Sequence, residues 1–101
     1  MIRHVLLMKF HDDISHKKLS EIQKGFLSIS DKVMGVLSVE WGTNSGPEGK
    51  NAGFTHCVMM TFMDEFTRAE YHYHPEYQVI KKLFRPYLAD IIVFDYKFGR
   101  L

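Results

Sequence analysis

The chain has 101 residues, 46% of them hydrophobic, and a formal net charge of +1. That is the length of one domain, 1–101, with enough apolar residues to build a core. Scattered Lys and Arg among Asp and Glu exclude the basic face that nucleic-acid binding requires, and no apolar run approaches the roughly 20 residues of a membrane helix.

The first strand is predicted over residues 2–10. Ile2, His4, Leu6, Met8 and Phe10 share one face, and Arg3, Val5, Leu7 and Lys9 share the other. Ser15 is a plausible N-cap, and Leu19, Ile22, Phe26, Ile29 and Val33 recur at helical spacing, which predicts a helix over 16–32. Gly25 inside it costs about 1 kcal/mol relative to Ala, and Gly35 marks the exit. Val36 to Trp41 forms a second strand, with Leu37, Val39 and Trp41 on one face. Residues 42–53 form a polar loop that lacks the Gly-Lys-Ser/Thr ending of a phosphate loop.

A third strand is expected over Phe54 to Met63, and Asp64 caps a helix reaching Tyr73. Pro75 interrupts it. A further helix spans about 76–85, and the last strand spans Ile91 to Lys97. The order strand, helix, strand, strand, helix pair, strand predicts an α+β fold. It is a ferredoxin-like four-stranded antiparallel sheet with helices on one face. Val5, Leu7, Cys57, Met59, Ile92, Phe94 and Tyr96 then lie on the uncovered face. That face is too apolar for a monomer, so two copies are expected to pair through it as a homodimer, a dimeric α+β barrel.

The single Cys57 excludes an internal disulfide and fits a reducing compartment. The apolar start lacks the long apolar core and cleavage site of a signal peptide. Together these predict a cytoplasmic protein with neither a membrane nor a nucleic-acid partner.

The densest chemistry lies in Tyr71-His72-Tyr73-His74-Pro75-Glu76-Tyr77. Strand parity puts His4 and His56 on one face of two neighbouring central strands. Imidazoles titrate near neutrality and can move protons, and phenols can donate to a developing enolate. The competing reading is structural, since buried histidines and tyrosines usually satisfy one another or a backbone carbonyl. His74 stands at a helix junction, where its side chain can cap the next helix. The methionines suit either an adaptable pocket or core filling. A metal set drawn from His4, His56 and Asp95 has no diagnostic spacing, so neither a metal nor a cofactor is expected.

Several motifs resemble the stress-responsive α/β-barrel (Dabb) family. They are Ile2-Arg3-His4-Val5, Trp41-Gly42-Thr43-Asn44, Gly53-Phe54-Thr55-His56, Tyr71 followed by His74-Pro75, and Phe94-Asp95-Tyr96. The resemblance covers nearly the whole chain and implies a ferredoxin-like subunit in a dimeric barrel. It places the His4 and His56 face under the helices, near Tyr71 and Tyr77. The expected cavity is walled by Leu6, Met8, Phe26, Val58, Phe84, Ile91 and Val93, with His74 nearby.

One plant member of the family is a polyketide cyclase whose proposed base ends a His-Pro-x-His motif, with a tyrosine six residues earlier. Tyr71 matches that tyrosine, but Tyr77 stands where the base would be. With an unperturbed pKa of about 10, tyrosine is a poor base at neutral pH, and the cyclase activity is not carried over. Three readings remain. The first is a binder of a small hydrophobic or aromatic molecule. The second is a cofactor-free cyclase, isomerase or monooxygenase-like enzyme using His4 or His56 with Tyr71 or Tyr77. The third is a stress-related structural protein without a ligand.

Overall fold

The computed structural model describes residues 1–99. Strand β1 (Ile2–Phe10) leads into helix α1 (His16–Leu27), the short helix α2 (Ile29–Lys32) and strand β2 (Val36–Thr43). Strand β3 (His56–Phe62), helices α3 (Glu65–Tyr73) and α4 (Pro75–Phe84), a 3-10 turn (Arg85–Tyr87) and strand β4 (Leu88–Lys97) follow. The sheet order is β2-β3-β1-β4, with every neighbouring pair antiparallel. The helices cover one face, as the order of elements predicts.

Local chemistry accounts for the elements. The Ser15 hydroxyl accepts from Lys18 N at 3.0 Å and starts α1. Ile22 and Phe26 are its buried face. The expected single helix over 16–32 is broken at Ser28, whose hydroxyl donates to Gly25 O at 2.8 Å. Such back-bonding bends helices. Gly25 lets α1 and α4 approach closely, because a Cβ there would sit 2.7 Å from Ile80 Cδ1.

In β2 the expected alternation fails at its first residues. A register shift lies between Val36 and Ser38. It turns Val36 into the core at 5% exposure and Leu37 outward at 52%. An extra residue in one strand reverses the parity that follows it. Strand β3 begins at His56 rather than Phe54, and β4 begins at Leu88 rather than Ile91.

Asp64 caps α3, accepting from Thr67 N at 2.8 Å and from the Thr67 hydroxyl at 2.9 Å. These two bonds hold its carboxyl below the usual value. His74 N donates to Tyr71 O at 3.0 Å, while His74 Nδ1 accepts from Glu76 N at 3.1 Å. One residue thus ends α3 and caps α4, and Pro75 opens α4 where its missing N–H costs nothing.

The core lies between sheet and helices. Leu6, Met8, Phe26, Val58 and Phe84 are all buried in it, with the Phe26 and Phe84 rings 5.1 Å apart. On the other face no element among the described residues covers the sheet. Ile92, Phe94 and Tyr96 are exposed there, and Val5, Leu7, Cys57 and Met59 are half-buried. Among the described residues no helix is long and apolar enough to cross a membrane.

Candidate functional site

Register decides which of the expected site residues can meet. His4 lies between Met60 of β3 and Asp95 of β4, on the helix-covered face. His56 stands opposite Met8, four residues further along the same ladder. At about 3.4 Å per residue that is about 14 Å away. Equal parity therefore puts the two imidazoles on one face but not in one site.

His56 packs against Phe10, with ring centroids 5.3 Å apart, and against Trp41 at 5.4 Å. Its Nδ1 is hydrogen-bonded to the Thr55 hydroxyl at 2.7 Å. Burial pushes its pKa down, since the charged ring would lose solvation.

The His4 end is different. His4 Nδ1 and Asp95 Oδ1 are 2.6 Å apart. With the carboxylate accepting, Nδ1–H donates, and in the neutral ring Nε2 is then the accepting nitrogen. Arg68 Nη1 donates to the other Asp95 oxygen at 3.3 Å. Tyr71 packs on Phe62 with ring centroids 5.3 Å apart, and Tyr77 packs on Tyr71 at 4.7 Å.

These groups border one cavity of about 280 Å3, lined by His4, Phe62, Tyr71, Tyr77 and Asp95, with Arg68, Ala69 and His72 completing the wall. The volume is near the lower limit for small-molecule sites. Tyr71 is 4% exposed, and its hydroxyl has no hydrogen-bond partner among the described residues. Burial raises the Tyr71 pKa far above its ordinary value, with the neighbouring Tyr77 adding to the rise. The phenol therefore stays protonated and acts as a donor. An imidazole with one nitrogen fixed and a phenol with an unspent donor can bind an oxygen-bearing molecule or move a proton on it.

The remaining expected wall residues lie elsewhere. Leu6, Met8, Phe26, Val58 and Phe84 close the core instead of lining this cavity. Ile91 is half-buried at the margin of the core. Val93 is 54% exposed, because β4 is the edge strand. The His74 ring nitrogen is engaged in the α4 cap.

Besides the wall residues Phe62 and Ala69, two polar features of the cavity were not expected from the sequence, Arg68 and the role of Asp95 as a partner of His4. The first was legible as helical spacing. Arg68, Tyr71 and His72 stand at i, i+3 and i+4 on α3, and so on one face. The second needed the β1–β4 register. Among the described residues no group of three His, Cys, Asp or Glu side chains is placed to hold a metal ion.

A larger cavity of about 430 Å3 lies beneath the loop after β2, bordered by Leu7, Phe54, Cys57 and Ile92. It opens on the uncovered sheet face. Burial pushes the Cys57 thiol up, with the Glu40 charge adding to the rise, so no thiolate nucleophile is prepared there.

Residues 2–98 match the Stress responsive A/B Barrel Domain, Dabb. The stress-response A/B barrel domain-containing protein HS1 of Arabidopsis thaliana is 31% identical over 96 residues, which is 95% of this chain and 88% of that one. Olivetolic acid cyclase of Cannabis sativa is 26% identical over 95 residues, 94% of each chain. The crystal structure of At3g17210 from Arabidopsis thaliana superposes with a TM-score of 0.91 at 30% identity, covering 100% of this chain and 98% of that one. A dimeric ferredoxin-like protein of unknown function from Thermobifida fusca superposes with a TM-score of 0.83 at 16% identity, covering 96% and 90%.

Proposed function

Because the chain belongs to the stress-responsive A/B barrel domain family, we propose that residues 1–101 act as one such domain, a cytoplasmic homodimer paired through its open sheet face. Each copy binds a small hydrophobic or aromatic molecule carrying an oxygen acceptor. The binding place is the cavity beside His4, Tyr71 and Tyr77. One observation carries the reading, namely the buried hydroxyl of Tyr71, without a partner among the described residues, on a side chain that lines a pocket together with the imidazole of His4. A buried donor left unpaired costs about 1–3 kcal/mol, and a ligand oxygen would remove that cost.

A second reading has its own support in the Asp95–His4 pair. With Nδ1–H held by Asp95, Nε2 can accept a proton from a carbon next to a carbonyl. As that C–H bond breaks, its electron pair moves onto the carbonyl oxygen, where a tyrosine hydroxyl donates. The similarity to olivetolic acid cyclase fits proton chemistry of this kind. With Tyr77 at the cyclase base position, the base role in this reading falls to His4.

The test is an NMR titration of the intact chain with a panel of aromatic and polyketide-like acids. The expected result is saturable shifts at His4, Tyr71 and Tyr77 that vanish in a folded His4→Ala variant. A panel that moves none of these resonances overturns the binding reading and leaves a structural role for the cluster.

A further inference from the structure

Resting on the pocket reading above, we infer that Arg68 makes this site selective for a ligand bearing a carboxylate. The cavity wall carries a surplus of donors. Arg68 offers five N–H groups in a planar fork and spends one of them on Asp95, at 3.3 Å. The Tyr71 hydroxyl spends none.

Asp95 is the one carboxylate among the residues that line the cavity. Both its oxygens are already engaged, Oδ1 by His4 and Oδ2 by Arg68. It therefore positions the two groups, with about half of its lone pairs engaged. A second cation stands nearby, with Lys81 Nζ 5.9 Å from the centroid of the Tyr77 ring.

The helix geometry makes this an arrangement rather than a coincidence of surface charge. Arg68 lies one turn before Tyr71 on α3, so both side chains border the same cavity. A carboxylate beside the guanidinium fork would receive two charge-assisted bonds from it. Its apolar remainder would lie against Phe62 and the stacked tyrosines. The ligand class is a small aromatic monocarboxylate. A neutral amide of the same shape keeps the aromatic contacts and loses the charge-assisted bonds.

The experiment compares 3-phenylpropanoate with 3-phenylpropanamide, titrated into the full chain at matched ionic strength and followed at His4 and Tyr71. Wild type is expected to bind the acid about tenfold more tightly than the amide, the ratio for a hydrogen bond to a charged group. Arg68→Gln brings the two within about twofold by lowering acid affinity alone. Arg68→Lys, which keeps the charge without the fork, retains part of the preference. Equal affinities in wild type, or a preference that survives Arg68→Gln, overturn the role of Arg68. In either case continued amide binding leaves the pocket reading standing. If neither compound shifts His4 or Tyr71, both the selectivity and the pocket reading fall.

Discussion

At the scale of single residues, Tyr71 separates a binding site from a structural network. In a structural network its hydroxyl would hold a partner, and removing it would cost stability. Here the hydroxyl is buried without one among the described residues. Tyr71→Phe is therefore expected to leave stability within about 1 kcal/mol of wild type, or to raise it. Ligand affinity should fall in the same variant. Urea unfolding beside a binding titration checks both, and a loss of stability above that range would restore the structural reading. His56 shows the opposite balance, since its Nδ1 is satisfied by Thr55 and its ring is packed by Phe10 and Trp41.

At the scale of elements, the docking of α3 onto the α2–β2 turn decides where Tyr71 sits. Gly35 has φ of +88°, and a Cβ there would lie 2.5 Å from the Thr67 hydroxyl oxygen. Thr67 is the residue that Asp64 caps. Gly35→Ala is expected to cost about 1–3 kcal/mol, read as a lower denaturant midpoint at unchanged slope. A neutral result would mean that the turn is free to relax.

The elements also show why some of the structure was legible beforehand. Alternation in β1 and β3 places His4 and Leu6 correctly with no knowledge of pairing. It cannot locate His56 along the ladder, because period two carries face and not register. Leu37 was misplaced for a related reason, since a bulge is set by the partner strand. Arg68 stood in plain helical spacing to Tyr71, but a lone arginine on a polar helix face resembles any other solvated charge.

At the scale of the whole molecule, the uncovered sheet face dominates. Phe94 is 62% exposed and Ile92 43%, beside the half-buried Val5 and Leu7. Dimeric neighbours share this fold. Phe94→Glu points a charge out of that face without touching the helix side, and is expected to convert a dimer into a folded monomer. Light scattering with circular dichroism measures this. A wild-type monomer at micromolar concentration would sink the pairing, and the larger cavity beneath the loop would then be open to solvent.

The sheet order has a consequence for how the protein is made. Strand β1 is central, and one of its two neighbours, β4, is the last strand along the chain. The His4–Asp95 contact joins residues 91 positions apart. During synthesis, β1 must wait with one edge unpaired until β4 has left the ribosome. Imidazole and carboxylate then meet in the closing step of the fold. A nascent or truncated chain lacking β4 carries a nearly complete helical layer but has no oriented imidazole. The site thus forms only once β4 has joined the sheet, and any ligand that needs it stabilises only the molecule with β4 in place.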